Sequence, residues 1–203
     1  MAFSTHTRLV SNWGIKDVIT PMNDPLYSKW RKMIYRCLDP SSVSYKSYGA
    51  VGVTICDEWK YFSNFMDWAS QYEWQGKQLD KDLLGKGRKI YSPDTCCFLS
   101  QKVNNFLTGI THGSKSKYPP GVFYDKETRK YKAQCYVNNR PITLGRYRTV
   151  DAAYKSYVDY KTKLTLKHAE EETDLRVRNG LILFAHDLIQ DYYNRKDELI
   201  TMV

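Results

Sequence analysis

Three short runs of alternating apolar and polar residues, between residues 121 and 147, constrain the fold of this chain most. The runs are GVFYD, RKYKAQCYV and PITLGRY, and the pair Asn138-Asn139 lies between the second and third runs. Such alternation is typical of antiparallel strands that have one buried face. A helical pattern follows, with Ala152, Ala153, Tyr157 and Leu164 on one side. We therefore expect a three-stranded antiparallel sheet packed on a helix.

The two faces of this predicted sheet differ in chemistry. The inward face would carry Val122, Tyr131, Ala133, Cys135, Ile142 and Leu144. The outward face would carry aromatic, amide, hydroxyl and cationic side chains, with three arginines near its edge: Phe123, Lys132, Gln134, Tyr136, Thr143, Arg140, Arg146 and Arg148. A face of this composition suits insertion into a DNA groove. An ordinary exposed sheet face is the alternative interpretation.

The overall charge favours a polyanionic partner. The 203-residue chain has 31 Lys+Arg against 22 Asp+Glu, a net charge of +9 and a pI near 9.2. Each phosphate that a cation neutralises releases counterions, which favours binding. The 17 tyrosines could also stack on bases or touch phosphates, although a merely basic protein is the alternative.

The first half of the chain shows two helical patterns. Asp24-Pro25 resembles a helix start, and Trp30, Met33, Ile34 and Cys37 recur at helical spacing until Asp39-Pro40. A second amphipathic helix is predicted from an aromatic stripe, which we interpret as core: Trp59, Phe62, Phe65, Met66 and Trp68-Ala69.

The predicted sheet and helix resemble the Apetala-type DNA-binding domain of plant ethylene-response factors, which also occurs in phage homing endonucleases and integrases. The matching residues cover about fifty positions: Gly121-Val122, Lys130–Ala133, Leu144–Tyr147 and Thr149–Tyr154. That family reads the major groove with its sheet. The resemblance therefore implies that Phe123, Lys132, Gln134, Tyr136 and Thr143 contact DNA.

The first half is similar to phage HNH-type endonucleases, which hold one metal ion on a ββα element. The shared residues are Trp30–Met33, Arg36-Cys37, Tyr48-Gly49, Val53–Trp59, Leu79–Asp82, Tyr91–Cys96 and Asn104-Asn105. The resemblance matches Asp80 to an acidic metal position and Asn104 to the helix position. It places Lys81 where the base histidine belongs and Thr95 where the middle asparagine would lie.

These resemblances imply a candidate catalytic set of Asp80, Lys81, Asp82 and Asn104, with Mg²⁺ or Mn²⁺ at Asp80 and Asn104 if the site is active. Asp82 with an ordinary pKa is a weak proton acceptor, and Lys81 is better suited to stabilising phosphate charge. The four histidines lie outside the motif and are expected to be surface or packing residues: His6, His112, His168 and His186.

The five cysteines do not indicate a disulfide framework, since their number is odd and no secretory signal is recognisable. A zinc site built from Cys37, Cys56 and Cys96 with an unknown fourth ligand is one interpretation. Small buried thiols are the other.

Together these features predict an α+β protein in four parts. They are an HNH-like domain at 1–110, a basic Pro-containing linker at 111–120, an Apetala-type domain at 121–169, and a helical extension at 170–203. The apolar segment Leu181–Leu188 would pack on a domain or on a second copy. No apolar run is long enough for a membrane span, and a cytoplasmic protein of an infected bacterium is expected.

Three functions remain as hypotheses. The first is a phage homing endonuclease that binds duplex DNA and nicks it. The second is a catalytically inactive DNA-binding regulator that keeps the nuclease fold as a scaffold. The third is an interaction protein that blocks a host defence, with a host protein contacting the C-terminal helix.

Overall fold

The computed structural model describes residues 8–21, 23–108, 117–138 and 140–202. It is a mixed α/β structure with two compact units, Met1–Leu99 and Ser100–Val203. Most of the predicted linker, residues 111–116, lies outside the described residues, and so do His6 and His112. The first helix of the second unit falls within the predicted HNH-like domain.

The first unit begins with a capped helix, α1 (Pro25–Leu38). The Asp24 carboxylate accepts hydrogen bonds from the backbone N–H groups of Leu26 and Tyr27, both at 2.8 Å. Such a cap satisfies donors that the first helical turn leaves unpaired. Trp30, Met33, Ile34 and Cys37 are buried on one face, as the periodicity predicted.

The second helix of this unit, α2 (Phe62–Ala69), is shorter than its aromatic stripe. The prediction that Trp59 belongs to the helix is wrong, because Asp57–Lys60 forms a separate 3₁₀ turn. Trp59 nevertheless enters the same core, where its carbonyl accepts a 2.7 Å hydrogen bond from the Trp30 indole N–H.

Six short strands complete the first unit: β1 (Arg8–Val10), β2 (Gly14–Lys16), β3 (Thr54–Ile55), β4 (Gln78–Asp80), β5 (Ile90–Tyr91) and β6 (Cys97–Leu99). They form three two-stranded sheets in the described part of the chain. β1 pairs with β2 and β4 with β6 in antiparallel fashion, whereas β3 and β5 are parallel.

The described residues of the second unit form three strands and four helices: α3 (Gln101–Thr108), β7 (Val122–Asp125), β8 (Lys130–Val137), β9 (Arg140–Tyr147), α4 (Val150–Glu171), α5 (Leu175–Asn194) and α6 (Lys196–Thr201). β7, β8 and β9 form the expected antiparallel sheet, with β8 in the centre. The Thr149 hydroxyl caps α4 by accepting the Ala152 N–H at 3.2 Å.

The inner face of the sheet packs in one core with α4. Buried or partly buried residues on that face are Val122, Tyr131, Ala133, Cys135 and Leu144. Ile142 pairs with the buried Cys135 and therefore lies on the predicted inner face, but its side chain is 38% exposed. The first four residues of β9 are all exposed, so neither face of this edge strand is covered there.

The C-terminal extension folds as two helices, α5 and α6, which pack on α4. Leu181 and Ala185 of α5 are buried, and Leu188 lies against the core of the second unit. Ile182 and Leu183 are about half exposed. The predicted packing of Leu181–Leu188 on a domain is therefore confirmed.

Candidate nucleic-acid interface

The outer face of the sheet brings the predicted reading residues into neighbouring rows. Phe123 lies opposite Lys132 across the first strand pair, and Lys132 lies opposite Arg146 across the second. Gln134 lies opposite Thr143 in the next row. All are half-buried or exposed, in contrast to the buried neighbours between them on β8. The alternation predicted from the sequence is therefore present on the central strand.

A β-bulge places the edge-strand residues on this face. Ala133 pairs with Gly145 and Gln134 with Thr143, so Leu144 is the extra residue. In an unbroken strand, Thr143 and Arg146 would point to opposite faces, because they are three positions apart and side chains alternate between faces. The extra residue restores both to the outer face. No local sequence pattern indicated this bulge.

One cation on the outer face is positioned by a carboxylate that the sequence analysis missed. The Arg146 Nε lies 2.7 Å from Oδ2 of Asp125, and this contact holds the pKa of Asp125 down at about 2. Asp125 Oδ1 accepts the backbone N–H of Glu127 at 3.1 Å, which orders the turn after β7. Asp125 was detectable in principle, because it lies two residues after Phe123 on the same face of β7.

The other cations at this face remain available for a ligand. The Lys132 Nζ lies 5.6 Å from the centre of the Phe123 ring. Arg140 begins β9 and Arg148 follows it, and both are exposed. Neither arginine has an ion pair within the described residues. Long cationic side chains at the edge of a groove-binding sheet are suited to contacting phosphates.

In the first unit, Asp80 ends strand β4 opposite Cys97 and is only 8% exposed. Its Oδ1 accepts backbone N–H groups from Asp82 at 3.0 Å and from Leu83 at 2.8 Å. Burial raises the pKa of the Asp80 carboxyl group, and the nearby Asp82 charge contributes in the same direction. A buried carboxyl group with a raised pKa is a feature that functional sites often share.

Next to it, the Lys81 ammonium is buried between an acid and two aromatic rings. It lies 2.5 Å from Oδ1 of Asp82, and 5.8 and 5.9 Å from the ring centres of Tyr48 and Tyr91. The Arg36 guanidinium lies 4.9 and 4.6 Å from the same two rings. Lys81, which the HNH resemblance matches to the position of the base histidine, thus lies near the same two rings as a second cation, Arg36.

The remaining predicted motif residues have structural roles or lie in the other unit. Thr95 is fully buried, and its hydroxyl donates to the Ile90 carbonyl at 2.7 Å and accepts the Ser92 N–H at 3.0 Å. Asn104 lies within α3, which continues for one more turn to Thr108. Burial of Phe106 in the hydrophobic core of the second unit favours the last turn of α3.

The carboxylates of Asp80 and Asp82 do not supply enough free oxygen atoms to hold a divalent ion by themselves. Asp80 uses one oxygen to cap a turn, and Asp82 uses one for Lys81. Mg²⁺ takes about six oxygen ligands. In the described ranges no group of three or more His, Cys, Asp or Glu side chains is arranged for a metal. The pairing of Asp80 with Asn104 of the second unit stays a prediction.

All five cysteines are free thiols, and four of them are buried. Burial raises the pKa of Cys37 and Cys56 to about 11 and that of Cys96 to about 12. Zinc binds the thiolate form, which these surroundings disfavour in the absence of a metal. The zinc site at Cys37, Cys56 and Cys96 stays a prediction.

The two described histidines are a packing residue and a surface residue of the second unit, as expected. His168 is buried against the Phe106 ring, with ring centres 5.3 Å apart, and burial lowers its pKa. His186 is exposed on α5.

Comparisons of the chain with family models, with curated proteins and with solved structures gave no match. Among the described helices, none combines the length and apolar character that crossing a membrane requires.

Proposed function

We propose that this chain binds duplex DNA by inserting the outer face of the β7–β8–β9 sheet into the major groove. The observation that carries the proposal is the composition of that face. A single exposed surface combines an amide, a hydroxyl, two aromatic rings and several cations. Amide and guanidinium groups are the side chains that discriminate base edges in the major groove.

The middle of the sheet would read bases, and the two ends of the edge strand would contact the backbone. Gln134 and Thr143 form one row of the sheet and could both reach base edges. Arg140 and Arg148 lie at the two ends of the edge strand, where a groove-bound sheet meets the phosphates. The net charge of +9 supports the same partner, because it favours association with a polyanion.

The test is a gel-shift titration of Arg140→Ala/Arg148→Ala on a short duplex. Loss of two phosphate contacts should weaken binding roughly tenfold or more, and lower the salt dependence by about two counterions. The matched control is Lys163→Ala/Lys196→Ala, which removes the same charge from exposed positions on α4 and α6. Equal weakening in both double variants would reject the sheet face as the interface.

DNA nicking is a second candidate function, favoured by the surroundings of Asp80. The carboxyl group is buried at a strand end with a raised pKa, and Lys81 and Asp82 lie next to it. Strands β4 and β6 form an antiparallel pair, and helix α3 follows β6 in the chain, which is the order of a ββα element with β5 inserted between its strands. The resemblance to HNH-type endonucleases supports a metal-dependent nuclease site at Asp80.

Plasmid nicking in Mn²⁺, compared with chelator, tests this second function. Asp80→Asn keeps an oxygen that can accept the N–H groups of Asp82 and Leu83, so the turn should remain folded. We expect the variant to lose metal-dependent nicking while keeping its duplex affinity. Asp94→Asn, at an exposed position of the same unit, is the control. Undiminished nicking by Asp80→Asn would rule out this site, and absence of nicking in the unmodified protein would favour the inactive regulator.

A further inference from the structure

Helix α1 and strand β4 enclose a basic surface pocket of about 290 Å³ in the first unit. We call it the α1 pocket. Its polar and charged lining side chains are Ser28, Lys29, Lys32, Arg36 and Gln78. Leu79 also lines it, and this residue directly precedes Asp80. Neither family resemblance nor the sheet proposal assigns a role to this pocket.

All the charged side chains that line the α1 pocket are cationic. Lys29, Lys32 and Arg36 are spaced three and four residues apart, so they share one face of α1. No carboxylate is among the described residues that line the pocket. Burial and the neighbouring charge of Lys32 both lower the pKa of Lys29. Three unbalanced cations around one cavity favour the entry of an anion.

One residue that lines the pocket, Arg36, also has a buried hydrogen-bond donor without a partner among the described residues. The Arg36 Nε is buried and makes no hydrogen bond within the described residues. The rotation of the Arg36 guanidinium group is restricted, because the ring centres of Tyr48 and Tyr91 lie 4.9 and 4.6 Å from it. A buried donor without a partner costs about 1–3 kcal/mol. The positive charge of this guanidinium would attract an anion that enters the pocket.

Two lysines are placed to complete the ligand shell. The Lys29 Nζ donates a hydrogen bond to the Lys77 carbonyl, which fixes the ammonium group at the pocket. Lys32 is exposed and can approach from solvent. Guanidinium, ammonium, hydroxyl and amide donors around one cavity match the oxygens of a phosphate group.

We propose that the α1 pocket binds a phosphate group of the nucleic-acid backbone. It would give the first unit its own contact with DNA, separate from the sheet face of the second unit. The anion is assigned as a phosphodiester because the chain as a whole carries a net charge of +9. The site itself does not depend on whether the sheet binds DNA.

The test follows the Arg36 Nε–Hε signal by NMR in the full chain. Inorganic phosphate and a short duplex should each shift this signal. Lys29→Gln/Lys32→Gln should abolish the phosphate-induced shift, and should lower the salt dependence of duplex binding by about two counterions. Lys46→Gln/Lys60→Gln removes the same charge elsewhere in the first unit and should behave as the unmodified protein.

Each result decides one part of the proposal. An Arg36 signal that neither phosphate nor duplex shifts would overturn the anion site. A phosphate-induced shift combined with unchanged duplex binding in Lys29→Gln/Lys32→Gln would overturn the phosphodiester and assign the pocket to free phosphate. The response of Arg36 to inorganic phosphate should persist in Arg140→Ala/Arg148→Ala, which separates failure of this site from failure of the sheet interface.

Discussion

Gly121 and Lys161 show how single residues determine the packing of the second unit. Gly121 has a φ of +80°, and a Cβ built there would lie 2.1 Å from the Tyr157 ring. Only glycine tolerates that backbone conformation and that close approach. Lys161 is 2% exposed, and its Nζ donates to the Phe106 carbonyl of α3. It thereby satisfies one of the carbonyls that a helix C-terminus leaves unpaired.

Lys161 should make stability depend on pH. Burial lowers its pKa to about 8, from an ordinary value of 10.5. Between these values the unfolded chain binds more protons at this residue than the folded one, so the contribution of Lys161 to stability should rise with pH from about 8. We expect this contribution to rise on the order of 1 kcal/mol between about pH 8 and 9.5; because buried thiols with a raised pKa act in the opposite direction, it is measured as a difference from a Lys161 variant.

Urea unfolding of Lys161→Met over this pH range is the measurement. Methionine has no proton to lose, so the stability of the unmodified protein relative to Lys161→Met should rise by this amount between about pH 8 and 9.5, and the variant also loses the hydrogen bond to Phe106. Lys167→Met, at an exposed position of α4, should differ from the unmodified protein by an amount that does not change over this range. A pH profile for Lys161→Met parallel to that of the unmodified protein would contradict the assignment.

At the scale of elements, the predictable parts were those with a sustained period. Helix α1 shows its cap and its apolar face in the sequence, and strand β8 alternates over eight residues. The pairing of β3 with β5 was not predictable, because two residues contain no period. The bulge at Leu144 was equally hidden, since it depends on how β9 aligns with its neighbour.

The Asp125–Arg146 pair links strands β7 and β9 across the sheet and should respond to acid. Its depressed pKa means that its contribution to stability is present above pH 3.8 and is lost as the pH falls through about 2. In Asp125→Asn this acid-dependent loss should be absent. The change should be small, because the pair is partly exposed to solvent.

Thermal unfolding of Asp125→Asn between about pH 4.5 and 2 measures this contribution. Glu127→Gln is the control, because Glu127 lies in the same exposed turn and has no ion pair among the described residues. If the two variants and the unmodified protein lose stability in parallel, the pair does not stabilise the sheet.

At the scale of the whole molecule, the excess of cations should determine how binding depends on salt. Three cations at the sheet face that have no ion pair among the described residues (Lys132, Arg140 and Arg148) would release about 0.9 counterions each. We therefore expect log K for duplex binding to fall by about 3 for each tenfold rise in salt, and further if the α1 pocket contributes. Fluorescence anisotropy across a salt series measures the slope. Affinity that does not change with salt would contradict phosphate binding by either unit.

The Asp80 site shows how far a family resemblance could predict a site. Asp80, Lys81 and Asp82 were identified from the resemblance of this segment to HNH-type endonucleases. Arg36, Tyr48 and Tyr91 were not assigned to the site, although they surround Lys81. These residues come from distant parts of the chain, and only the folding of α1 against the loops and strands of the first unit brings them together.

The sequence by itself determined the α+β class, the helix α1, the antiparallel sheet with its polar outer face, and the basic character of the surface. These properties follow from local periodicity and composition, which a linear pattern contains. The tertiary structure decided the β-bulge, the burial of Asp80 and Lys81, and the one-signed charge of the α1 pocket. They depend on which distant side chains share a small volume, and contacts between residues far apart in the chain leave no periodic pattern in a single sequence.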